Sequence, residues 1–259
     1  MDTFWFKVLA MPTVIALVTL ASRKWGNVIG GVIAGMPWVG GAILLFIALE
    51  QGEVFAVNAI PGALVGLICW LGFCSAYMIA GQRFKAFSSL LIGIAAFLLP
   101  GSILMNFTPL LPAEVWFVVL LTMIGVTLRF FPKVKGNDIG LSRKIRFDIP
   151  LRMIMITVFV VALTYFAKLL GPTWSGILTP FPVMTATLAV FVHIGQGMHQ
   201  VRLTLVGMFT GVVGFATFLV SLVYLIPAFG IGWSFLLALL INVVAALSAK
   251  MLFSRLKIV

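Results

Sequence analysis

The sequence predicts an all-α integral membrane protein of nine transmembrane helices, built as two inverted-topology four-helix repeats (spans 1–4 and 6–9) joined by span 5. Three observations predict it: an extreme apolar composition, nine apolar stretches whose flanking charges alternate, and a motif that recurs in one register. Hydrophobic residues make up 63% of the 259 and charged residues only 9%, with a mean hydropathy of +1.23. A soluble domain carries about 25% charged residues. The net charge of +11 would suit nucleic acid, but in a membrane chain excess Lys and Arg mark cytoplasmic loops, and no nucleic-acid partner is expected. The first apolar stretch lacks a basic n-region and is long enough to cross, so it reads as a span and not a secretory signal.

A crossing needs about 20 apolar residues for a hydrocarbon core of about 30 Å. By that rule the spans are 4–22, 26–49, 55–80, 86–106, 114–131, 149–169, 172–195, 200–226 and 231–254. Short turns with Gly, Pro or a charge separate them, and the one long connection runs from Pro132 to Ile149 with Lys133, Lys135, Arg143, Lys144 and Arg146. With the N-terminus outside and the C-terminus cytoplasmic, every basic residue except Lys7 and Lys168 falls inside. The expected location is a membrane of the bacterial inner-membrane kind. Cys69 and Cys74 lie five residues apart in span 3, about 500° around a helix, so they face different ways and read as packing residues.

The recurring motif begins at Gly26-Asn-Val-Ile-Gly-Gly and returns 145 residues later at Gly171-Pro-Thr-Trp-Ser-Gly, without a gap. In this register Gly31 falls on Gly176, Pro37 on Pro182, Phe46 on Phe191, Gln51-Gly52 on Gln196-Gly197, Gly62 on Gly207, Gly66 on Gly211 and Phe73 on Phe218. Self-similarity at a fixed separation marks an internal duplication. The shift equals five spans, an odd number, so the copies cross in opposite directions. The domains expected are 1–107 for the first repeat, 108–148 for span 5 and the basic loop, and 149–259 for the second repeat. Inverted repeats recur in secondary transporters, where broken helices meet near the midplane; channels share the feature.

Pro37 lies eleven residues past Gly26 and Pro182 eleven past Gly171, each about 16 Å deep. Each lacks an N–H and turns its predecessor away from helix, so spans 2 and 7 are expected to be discontinuous at 35–38 and 179–183. A single membrane proline is commonly a packing kink; two at equal depth in one register point to a site. The amides of Trp38, Val39 and Gly40, and of Val183, Met184 and Thr185, start the second half-helices with a partial positive charge. Gly35, Gly40 and Gly41 leave room for close approach, and Thr179, Thr185 and Thr187 offer hydroxyls. Trp38 is a candidate cavity wall. Asn242, a lone amide in span 9, reads as an interhelical hydrogen-bonding or path-lining group, and His193 as a proton-coupling candidate. The candidate solute-binding set is therefore Gly35, Pro37, Trp38, Gly40, Gly41, Thr179, Pro182, Thr185, Thr187 and Asn242.

No Asp or Glu lies within a span: Asp2, Glu50, Glu53, Glu114, Asp138 and Asp148 all fall at ends or in loops. The membrane carboxylates usual in cation–proton antiporters and pumps are thus missing. No zinc signature, nucleotide loop, nucleophile elbow or paired-acid motif occurs, so no enzyme activity, cofactor or metal is expected. The sequence points to a secondary-transporter-like protein that moves a small anionic or polar solute by rocking one repeat against the other. A channel or a lipid-handling protein is the first rival and an intramembrane enzyme the second. The partners are the lipid bilayer and the solute; a homodimer is compatible with the sequence.

Overall fold

In the computed structural model, residues 3–132 and 148–255 are described; the basic residues Lys133 to Arg146 lie outside them. The described chain is all-helical, with no strand. Its helices in order are α1 (Thr3–Lys24), α2 (Gly26–Ala34), α3 (Gly40–Gln51), α4 (Glu53–Gly81), α5 (Ala86–Leu104), a short 3₁₀ turn (Thr108–Leu110), α6 (Ala113–Phe130), α7 (Asp148–Leu178), α8 (Val183–Gln196) and α9 (Met198–Arg255). Among the described residues six helices are long and apolar enough to cross a membrane, as befits a multi-pass integral membrane protein. Their outward faces carry large apolar side chains, Leu169 and Phe130 among the most exposed, as expected where lipid replaces water.

Glycines punctuate the chain. Gly52 and Gly197 adopt φ of 93° and 84°, a left-handed conformation that residues with a Cβ rarely take; Gly52 turns α3 into α4, and Gly197 turns α8 into α9. Two long helices contain one non-helical residue each: Gly171 in α7 (φ 73°, ψ 171°) and Gly230 in α9 (φ 68°, ψ 179°). Pro172 follows the first of these, at the position where a new helix tolerates a missing N–H.

α4, the most enclosed of the long helices, runs through the core. It packs on α7 where Gly62 meets Gly176, and a Cβ at either place would overlap a backbone carbonyl of the other helix (Thr173 O and Ala59 O respectively). α2 packs on α9 in the same way, with Gly31 against Gly207 and the overlaps at Thr204 O and Val28 O. Adding 145 to Gly31 and Val28 gives Gly176 and Thr173; subtracting it from Gly207 and Thr204 gives Gly62 and Ala59. Small residues let helix backbones approach closely in lipid, where packing must drive association.

Candidate functional site

Between α2 and α3 the chain makes a turn over residues 35–39, and between α7 and α8 another over 179–182. The local chemistry is the same in both. Proline leaves a carbonyl without its usual α-helical donor, and the chain answers with tighter hydrogen bonds. Met36 N donates to Ile33 O and Trp38 N to Met36 O; Phe181 N donates to Leu178 O and Val183 N to Phe181 O. The first α-type bonds of the new helices run from Gly41 N to Pro37 O (2.8 Å) and from Ala186 N to Pro182 O (2.6 Å). The amides of Trp38 and Val183 are thus spent in the turns. Those of Val39, Gly40, Met184 and Thr185 precede the first turn's bonds and find no backbone acceptor among the described residues.

Both turns border one cavity of about 50 Å³, room for about three water molecules at ~10–15 Å³ each. Its walls are Ala34, Gly35, Met36, Val39, Gly40, Leu67 and Trp70 on one side and Thr179, Pro180, Phe181, Met184, Thr185, Val212 and Phe215 on the other. Every residue of the second set is a residue of the first plus 145. No ionisable side chain lines the space. The polar groups its lining residues carry are backbone amides, among them the four at the starts of α3 and α8, backbone carbonyls, and two hydroxyls. Thr179 donates its hydroxyl to Ser175 O (2.8 Å), whereas Thr185 accepts from the indole of Trp70 (2.8 Å). An indole N–H only donates, so the Thr185 hydroxyl hydrogen stays available.

The structure gathers Gly35, Gly40, Thr179 and Thr185 around this cavity and sets the other candidates elsewhere. Pro37 and Pro182 are buried in the turns themselves. Trp38 does not line the cavity: its Nε1 donates to Ile33 O (2.7 Å), the carbonyl that Pro37 leaves without its α-helical donor. A Cβ on Gly41 would meet Pro37 and Phe218, and Thr187 donates to Met184 O in its own helix. Asn242 lies against Gly214, 1% exposed, with no hydrogen-bond partner for its Oδ1 among the described residues. His193 stands eight residues along α8 from Thr185, about 12 Å, where its Nδ1 is 3.2 Å from the Tyr77 hydroxyl.

Sequence reasoning missed Leu67, Trp70, Val212 and Phe215. The signal was present, since Trp70 and Phe215 are aromatic residues in the register that relates Pro37 to Pro182. It also passed over Lys7, a residue 4% exposed that pairs with Glu50 (2.6 Å). Among the described residues no three of His, Cys, Asp and Glu come close enough to hold a metal ion. No protein-family model, curated protein or solved structure matches the chain.

Proposed function

We propose that the chain is a secondary transporter of nine spans in two inverted repeats, and that it carries a small anionic or polar solute by alternating access around the cavity. One observation carries the reading: the cavity walls divide into two sets in strict 145-residue register. A site placed on the relation between two copies has the same distance to both ends of the molecule. Exchanging the conformations of the copies then opens the site to the other side without moving it, which is how inverted repeats produce alternating access. The reciprocal contacts of Gly31 with Gly207 and of Gly62 with Gly176 support a two-fold relation, because such an axis swaps the partners of every contact.

Nine crossings follow when each of α7 and α9 is divided at its non-helical glycine and each turn-separated pair is joined. At 1.5 Å per residue the 58 residues of α9 would stretch about 87 Å as one helix, far beyond a bilayer; the segments 198–229 and 231–255 each suit one crossing. The proposed units remain 1–107, 108–148 and 149–259, with the N-terminus outside. The solute class rests on the donors. Two helix starts, four amides and the Thr185 hydroxyl converge without an acidic side chain, an arrangement that favours an acceptor-rich or anionic solute.

The test is a thermal-shift screen of small solutes on purified protein, followed by uptake of the hits into liposomes under imposed gradients. Saturable uptake with counterflow is expected. Uptake linear in solute concentration, without counterflow, would replace the carrier by a channel, and phospholipid scrambling by a lipid-handling protein.

A further inference from the structure

The cavity walls carry donors in excess. The amides of Val39, Gly40, Met184 and Thr185 find no backbone acceptor among the described residues, and all four residues are buried. Buried N–H groups are rarely left orphaned, so what enters the cavity must accept hydrogen bonds. The Thr185 side chain gives an independent sign. Threonines in membrane helices commonly donate to a preceding carbonyl of their own helix, and Thr164, Thr179, Thr204 and Thr217 each donate to the carbonyl four residues before. For Thr185 that carbonyl is Phe181 O, which the turn has given to Val183 N. The Thr185 oxygen instead accepts from the indole of Trp70 (2.8 Å). A hydroxyl on the cavity wall, in a residue 6% exposed, thus keeps its hydrogen for a ligand.

Charge and size narrow the ligand further. α3 and α8 both start at the cavity, and each helix start bears about half an elementary positive charge. Together they match about one negative charge. No lysine, arginine or histidine lines the space to balance a second. The buried cations Lys7 and Arg152 stand elsewhere. Lys7 lies against Glu50 Oε1 (2.6 Å) and Thr164 Oγ1 (2.5 Å), and the Arg152 guanidinium lies 5.4 Å from the ring of Phe191. A second negative charge in the cavity would stay uncompensated at low dielectric. The volume is about 50 Å³. With room for about three waters, it suits an ion of about three or four non-hydrogen atoms.

Resting on the carrier reading above, which leaves the solute open between anionic and polar, we propose that the solute is a small, singly charged anion of the size of formate or nitrate. It is held without its hydration shell by the amides at the two helix starts and by the Thr185 hydroxyl, which the Trp70 indole orients.

The test compares solutes of one shape that differ in charge. Purified protein is titrated at millimolar concentration with sodium nitrate and sodium formate, with their neutral counterparts urea and formamide, and with sodium sulfate. Thermal stability is followed at an ionic strength held constant with sodium gluconate, which is too large for the cavity. Nitrate and formate should raise Tm saturably, and urea, formamide and sulfate should bind at least about a hundredfold more weakly. Thr185→Val should weaken nitrate binding several-fold. Trp70→Phe removes the indole that orients the hydroxyl and should do the same, which decides the matter if Thr185→Val fails to fold. No saturable shift with either anion, a neutral counterpart or sulfate binding as tightly as nitrate, or a nitrate affinity that neither variant moves overturns the proposal. Uptake into liposomes separates it from the reading it rests on. Saturable uptake with counterflow of urea and not of nitrate overturns the anion and leaves the carrier standing. Nitrate uptake linear in concentration, without counterflow, overturns the carrier reading and with it the anion as a carried solute.

Discussion

The two turns that border the cavity share a backbone and differ in what they hang on it. The first, Ala34 to Gly40, is smooth: alanine and glycine stand where the second, Thr179 to Thr185, has two hydroxyls and a second proline. Each turn receives one indole, from different directions. Trp38 gives a second donor to Ile33 O, at the start of its own turn, whereas Trp70 reaches across from α4 to the Thr185 hydroxyl. The first indole mends the backbone and the second orients a side chain. The two turns thus match in backbone, while both hydroxyls lie on one wall.

The largest effects should fall where the copies are alike. Gly31→Ala and Gly176→Ala each drive a methyl group into a partner carbonyl, so each is expected to destabilise by about 3 kcal/mol, a fall in Tm of roughly 6–12 °C. Thermal unfolding of both, showing a large fall in one and none in the other, would break the equivalence.

Next come the prolines, where the copies should part. Pro182→Ala restores a donor for Leu178 O and lets the second turn close towards helix, so transport should drop about tenfold, or ~1.4 kcal/mol, with little change in Tm. Pro37→Ala should be milder, because Trp38 already bonds Ile33 O. Uptake assays on the pair decide between them.

The indoles sharpen the contrast further. Trp70→Phe and Trp38→Phe each delete one hydrogen bond, worth about 1 kcal/mol. The first should weaken solute binding several-fold in calorimetry, and the second should lower Tm while binding holds. Thr185→Val and Thr187→Val form the gentlest comparison. The Thr185 change removes a cavity hydroxyl and should reduce affinity up to several-fold. The Thr187 change removes a buried hydroxyl bonded within α8 and should lower stability by up to about 1 kcal/mol while binding holds.

Much of this was legible in the sequence because proline and glycine act locally. Pro37 forbids a donor and Gly52 permits a left-handed turn wherever the rest of the chain lies, so the places where helices stop can be read residue by residue. Membership of the cavity wall is a tertiary property. Trp38 lies at the right depth and still points back to Ile33 O, because a freed carbonyl within reach outcompetes an open space. Trp70 lies far along the chain and arrives at Thr185 only through the docking of α4. Lys7 was unreadable for a similar reason: its carboxylate and hydroxyl partners come from α3 and α7, and nothing near it in sequence announces them.

The glycine contacts also constrain how the protein is made. Gly62 waits for Gly176, and Gly31 for Gly207, so neither half of the chain completes its tightest interface alone. The partner of Gly62 is synthesised 114 residues later, a delay of roughly 6–23 s at ribosomal speeds of about 5–20 residues per second. During that interval the nascent α4 presents a bare groove within the membrane. The glycine contacts that let the two halves clasp each other also oblige the first half to wait for the second before either is finished.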